Sequence, residues 1–220
     1  MKHYPLYVFD AYGTLFDVHS AVGRHRDLVG AQADKLTDLW RTKQLEYTWT
    51  RSLMGAHRDF SDLTEEALDF AAACCGGLSP GARAQLLSAY QTLDAFADVA
   101  PTLNTLKSRG ARLVVLSNGT PAMLVRAIES AGLADLLDRS LSVESVGVFK
   151  TDARAYELVE RQYGFTPREV SFQSSNRWDV AGAAKFGFRT VWINRTKAPD
   201  EYGDLRPAAI LDGLAGLPDL

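Results

Sequence analysis

Four short polar groups in the chain carry side chains able to do chemistry: Asp10-Ala-Tyr-Gly-Thr14, Ser117-Asn118-Gly119, Lys150, and Ser174-Ser-Asn-Arg-Trp-Asp179. Together they offer carboxylates, an ammonium, hydroxyls and amides, the groups from which nucleophilic and acid–base sites are assembled. Any one of them reads equally well as a helix cap or a turn. All four together are hard to explain that way, because each comes after a short apolar, β-rich run. In open parallel sheets, ligands bind where loops leave the carboxyl ends of the strands. The polar groups are therefore expected to converge.

The runs that must position them are Leu6–Phe9, Arg112–Leu116, Leu141–Val143, Val170–Phe172 and Thr190–Ile193. Leu6–Phe9, Leu113–Leu116 and Val191–Ile193 are apolar without alternation, as strands buried on both faces are. Helix-length segments at Pro121–Gly132, Asp152–Gly164 and Val180–Gly187 separate the later runs, the pattern of a parallel sheet covered by helices. The stretch from Phe16 to Asp98 breaks this rhythm. Leu36, Leu39, Trp40 and Tyr47 recur at helical spacing, as do Leu63, Ala67, Leu68 and Ala71. A turn falls at Leu78-Ser-Pro-Gly81, and Pro101 opens a helix over Thr102–Gly110. The expected architecture is an α/β core domain from residues 1–15 plus 99–220, with an all-helical domain, 16–98, inserted after the first strand.

Composition narrows the classes of function. With 220 residues, 46% apolar and 23% charged, the chain suits one α/β domain with an insertion and excludes wholesale disorder. Lys and Arg number 24 against 27 Asp and Glu, a net charge of −3 with the signs interleaved, so nucleic acid and anionic membranes are poor partners. No apolar run approaches the roughly 18 residues that span a bilayer. The opening MKHYPLYVFD reads as a first strand rather than a signal peptide, which implies a cytoplasmic protein. Cys74 and Cys75 are adjacent, a poor geometry for a disulfide, and read as small buried apolar side chains on a helix. His3, His19, His25 and His57 have neither metal spacing nor a triad partner, and Gly13 and Gly119 read as turn glycines.

The Asp10-x-Tyr-Gly-Thr14 group, with Ser117-Asn118, Lys150 and the Ser-Ser-Asn-x-Trp-Asp179 loop, resembles the haloacid dehalogenase superfamily. Three stretches, DAYGTLFDV from Asp10, WRTKQLEYTW from Trp40 and SSNRWD from Ser174, are similar to the L-2-haloacid dehalogenases within it. The resemblance implies a Rossmann-like core with a helical cap. It also implies hydrolytic dehalogenation of short L-2-haloacids to D-2-hydroxy acids through an aspartyl ester. Asp10 would attack C2, and Asp179 would activate the water that cleaves the ester. Lys150 would offset the repulsion between the two acids. Thr14, Ser174 and Asn176 would hold the carboxylates in place. Ser117 and the N–H groups of Ala11 and Tyr12 would hold the substrate carboxylate, and Arg41, Asn118 and Trp178 would receive the halide. Leu45, Phe60 and Tyr156 would line the pocket. Taken alone, Arg41 reads as a helix-surface pair with Asp38. Family habit also suggests a homodimer.

Phosphatases of this superfamily use Asp-x-Asp with Mg²⁺, the second carboxylate protonating the leaving group. Here that position is Tyr12, and a halide leaves as an anion that needs no proton, so no metal and no cofactor is expected. A magnesium-dependent phosphatase and an inactive ligand-binding member are the alternatives. Three departures from the family pattern, Thr42, Thr151 where Pro usually comes after the lysine, and Gln173 among small or apolar residues, bear on pocket size and substrate range.

Overall fold

The computed structural model describes residues 4–220, so His3 lies outside the described residues. Strand β1 (Leu6–Phe9) is followed by two single-turn helices, α1 (Ser20–Gly23) and α2 (Arg26–Val29), and then by α3 (Ala33–Met54), α4 (Phe60–Cys74) and α5 (Pro80–Tyr90). Alternation begins with α6 (Val99–Ser108), β2 (Arg112–Ser117), α7 (Pro121–Ser130), β3 (Arg139–Ser142) and α8 (Ala153–Tyr163). It ends with β4 (Val170–Ser174), α9 (Arg177–Phe186), β5 (Arg189–Ile193) and β6 (Ala209–Leu211). The six strands form one parallel sheet in the order β3-β2-β1-β4-β5-β6.

Every residue of β1 is buried, as expected of the central strand of a sheet covered on both faces. Strand order reverses at β1: β2 lies on one side and β4 on the other, which opens the loops after β1, β2 and β4 toward one another. Strand β6 has no counterpart among the apolar runs of the sequence. It has three residues, none buried, and pairs only with β5 at the sheet edge.

The helical segment is organised by α3, which packs along α4. Leu36, Trp40, Gln44 and Thr48 recur every four residues on its buried side. Asp59 caps α4 by accepting the Asp62 N–H, and Ser79 caps α5 at the Ala82 N–H, with Pro80 in its first turn. Cys74 is exposed at the end of α4, and Cys75, just beyond it, is half-buried against the edge of the core, which corrects the expectation of two buried thiols on a helix: α4 ends at Cys74, with that side chain turned to solvent.

The chain leaves and rejoins the sheet side by side. Phe96 N–H donates to Leu15 O at 3.1 Å and Asp17 N–H to Asp94 O at 2.8 Å. Arg195, in the loop after β5, forks both oxygens of Asp98 at 2.9 Å and donates to Thr14 O at 3.0 Å. Leu214 N–H adds a bond to Asp98 Oδ2 at 2.7 Å. One ion pair thus ties both crossing segments to the end of the chain.

Candidate active site

Asp10 comes directly after β1, Lys150 lies in the segment after β3, and Asp179 in the first turn of α9, and the fold brings all three together. Lys150 Nζ lies 3.0 Å from Asp10 Oδ1 and 2.8 Å from Asp179 Oδ2, with its side chain wholly buried. The second oxygen of Asp10 accepts the Thr14 hydroxyl at 3.0 Å and Asn176 Nδ2 at 2.8 Å. The second oxygen of Asp179 accepts the Tyr156 hydroxyl at 2.8 Å. Lys150 is itself oriented by its backbone N–H, which donates to Asn118 Oδ1 at 3.0 Å.

Two acids share a single buried ammonium, and this sets their electrostatics. Burial pushes the Asp179 carboxyl up to about 6; Lys150 and the Tyr156 hydroxyl pull it down and the charge of Asp10 adds to the rise. Burial also opposes the charge of Lys150, but the two carboxylates outweigh it and hold its pKa above the ordinary lysine value. The phenols of Tyr156 and Tyr12 are raised well above their usual value, chiefly by burial, so both stay neutral. The site therefore contains a carboxylate bonded at both oxygens and a second one poised near neutrality, where a general base is most effective.

These donors do not fit a hard divalent cation. Lys150 Nζ already stands between the two carboxylates, and the remaining Asp179 oxygen is taken by Tyr156. No group of three His, Cys, Asp or Glu side chains able to hold a metal occurs among the described residues.

Arg41 does not pair with Asp38. Its Nη1 donates to Gln44 Oε1 at 2.8 Å, while Nη2 faces Tyr12 O at 3.4 Å and Asn176 Oδ1 at 3.5 Å. The guanidinium thus points across from the helical segment toward the Asp10 loop. The N–H groups of Ala11 and Tyr12 have no hydrogen-bond partner among the described residues, and the Ser117 hydroxyl accepts the Gly119 N–H at 3.1 Å. Phe60 is buried against Tyr12, with ring centroids 5.6 Å apart. Leu45 is half-buried one turn beyond Arg41.

Two residues sit differently from expectation. Ser174 reaches neither carboxylate; its hydroxyl accepts the Asn176 N–H at 3.1 Å. Beside Asn176, it is Ser175 that joins the Asp10 loop, its N–H donating to Thr14 Oγ1 at 2.8 Å. Trp178 packs edge-on against Trp49 at 5.4 Å, lining an open cleft with Thr151 and Lys185. Gly119 is more than a turn glycine, since a Cβ there would meet the Tyr12 ring at 2.8 Å. Gln173 Oε1 is buried without a partner, and Thr42 is exposed.

A family profile described as haloacid dehalogenase-like hydrolase matches residues 4–187. The chain is 45% identical to (S)-2-haloacid dehalogenase 1 of Pseudomonas sp. (strain CBS-3), over 97% of this chain and 94% of that one. It is 50% identical to (S)-2-haloacid dehalogenase 4A of Burkholderia cepacia, over 89% and 85% of the two chains. The chain belongs to the haloacid dehalogenase-like hydrolases. Among solved members, L-2-haloacid dehalogenase from Xanthobacter autotrophicus with chloropropionic acid covalently bound superposes with a TM-score of 0.90. It is 36% identical and the match covers 99% of this chain and 98% of that one. In this haloacid dehalogenase-like hydrolase, Asp10 directly after β1 and Asp179 in the first turn of α9 meet at Lys150, while Arg41 and Phe60 reach the Asp10 loop from the helical segment.

Proposed function

We propose that the chain hydrolyses short L-2-haloacids, with Asp10 as nucleophile and Asp179 as base. The observation that carries this reading is the single ammonium held between two carboxylates, beside Tyr12 where a leaving-group acid would otherwise stand. Asp10 attacks C2 from the side opposite the halogen; the C–halogen bond breaks and the halide leaves with its electron pair. Ser117 and the free N–H groups of Ala11 and Tyr12 hold the substrate carboxylate and so fix C2 in line. Arg41, whose Nη2 faces the Asp10 loop, and Asn118 receive the halide.

Asp179 then takes a proton from water, and the hydroxide adds to the Asp10 ester carbonyl. The acyl–oxygen bond breaks, the alkoxide recovers the proton from Asp179, and Asp10, left as a carboxylic acid carrying one solvent oxygen, returns to the carboxylate by releasing its proton to solvent. Tyr156 and Lys150 hold Asp179 while it acts, and Thr14 and Asn176 hold Asp10. The inserted domain, 16–98, supplies Arg41, Leu45 and Phe60 as a cap over the core of 1–15 plus 99–220.

Assembly as a homodimer is supported by Leu53 and Met54, 88% and 68% exposed at the end of α3. No helix among the described residues is long and apolar enough to cross a membrane. The deciding assay is halide release from L-2-chloropropionate with EDTA present, run beside a phosphate-ester screen with Mg²⁺. Phosphate release without halide release would overturn the reading.

A further inference from the structure

Gln44 stands three residues after Arg41 on the buried stripe of α3 and is 1% exposed. A buried amide must satisfy both of its ends. Its Oε1 accepts Arg41 Nη1 at 2.8 Å and the Tyr90 hydroxyl at 3.1 Å, and its Nε2 donates to Thr64 Oγ1 at 2.7 Å. Thr64 gives its own proton to Phe60 O at 2.7 Å, so toward Gln44 it can only accept. The network itself therefore dictates which end of the amide is oxygen.

We infer that Gln44 is a positioning residue for dehalogenation, fixing the Arg41 guanidinium while leaving its charge uncancelled; this rests on the proposed role of Arg41 as halide acceptor. One edge of the guanidinium is anchored. The other, at Nη2, has only the contacts of 3.4 and 3.5 Å to Tyr12 O and Asn176 Oδ1, both longer than good hydrogen bonds. That edge is held toward the Asp10 loop with donor capacity to spare. The anchor being neutral matters as much as its place. A carboxylate at position 44 would grip Arg41 at least as firmly, but it would neutralise the cation that meets the departing halide. No ion pair to Arg41 occurs among the described residues, so its charge is available to the reaction. Aimed donors in a dry site act mainly on developing charge.

The test measures single-turnover halide release from L-2-chloro- and L-2-bromopropionate, with inhibition by bromide, in Gln44→Glu, Thr64→Val and Arg41→Ala. Gln44→Glu keeps the size of the anchor and its acceptor toward Arg41 but loses the donor to Thr64, a loss that Thr64→Val reproduces without the charge. Gln44→Glu should release halide about 10- to 100-fold more slowly, less than the roughly 100- to 1000-fold of an aimed donor removed outright. The loss should be larger for chloride, the poorer leaving group, and bromide should inhibit about tenfold more weakly on the same electrostatic grounds. KM should hold, because other groups grip the substrate carboxylate. Thr64→Val removes the partner of Nε2 and should shift the same quantities the same way by roughly three- to tenfold, the scale of one hydrogen bond. Thr64→Val decides the matter if Gln44→Glu does not fold. Unchanged halide release and bromide inhibition in these variants, with Arg41→Ala impaired, overturn the inference alone. An unimpaired Arg41→Ala overturns the halide role on which it rests.

Discussion

Gly182 lies in the middle of α9, where alanine would normally be the better residue by about 1 kcal/mol. Its reason is a close approach. A Cβ at this position would meet the Tyr156 hydroxyl at 2.5 Å and Thr151 Cβ at 2.8 Å. Gly182→Ala must therefore push Tyr156 away from Asp179, its partner at 2.8 Å. Overpacking of this kind costs about 1–3 kcal/mol, which the gain in helix propensity partly offsets, so the stability change should be small. The larger effect is on chemistry. The Tyr156 bond helps hold the Asp179 carboxyl down to about 6. A hydrogen bond to a charged group is worth about 1.5–3 kcal/mol, or roughly one to two pH units. The acid limb of kcat should move from near 6 toward about 7–8, leaving the rate at pH 6 roughly five- to fiftyfold lower. The assay is the pH profile of 2-hydroxy acid formation for Gly182→Ala, Tyr156→Phe and the double variant. Tyr156→Phe should show the same shift, and adding Gly182→Ala to it should move the limb no further. An unshifted limb in Gly182→Ala would refute the reasoning.

Asp10→Asn should fold as the parent does and lose turnover, because the amide is nearly isosteric but a poor nucleophile; thermal denaturation and halide release check this. In H₂¹⁸O under single turnover, mass spectrometry should find solvent oxygen on Asp10 before it reaches product, and label going directly into the first product would exclude the ester. Chiral chromatography should show D-lactate from L-2-chloropropionate, retention of configuration being incompatible with backside attack. At the alkaline end, Lys150 has a folded pKa above its unfolded value. Its stabilising contribution is thus complete below the ordinary lysine range and lost only as pH rises through the folded value. Loss of the denaturation midpoint around Lys150 before pH 10 would contradict this.

Much of this was legible because the chain marks its strands plainly. Leu6–Phe9 is apolar throughout and Val170–Phe172 is apolar but for Ser171, and the residues just beyond each are chemically distinctive, so the sheet and the meeting of Asp10, Lys150 and Asp179 could be read together. Strand β6 could not, since Ala209–Leu211 is short and unburied and gains its pairing only from β5. For Ser174 and Ser175, which side chain faces the Asp10 loop depends on the turn into α9, and their types are identical. Gln44 went unread although the signal was present: a polar residue at the position after Leu36 and Trp40 on an apolar stripe needs a buried partner. Tyr90 and Thr64, the partners that explain it, come from α5 and α4 and only packing brings them near.

The position of β1 has a consequence for the order in which the protein comes into being. Leu6 pairs with Arg112 on one side and Val170 on the other, so the strand that leaves the ribosome early occupies the centre of a sheet whose neighbours are made late. Helices α3 and α4 can dock on each other meanwhile, because their contacts are local, whereas closing the sheet waits on long-range pairing. Chains truncated before Val170 should show protected amides in α3 and freely exchanging ones in β1. With the proposed roles of Asp10 and Asp179, a nascent chain carries its nucleophile for most of its synthesis without the base that would let it turn over, and the site is complete only when β4 and α9 arrive.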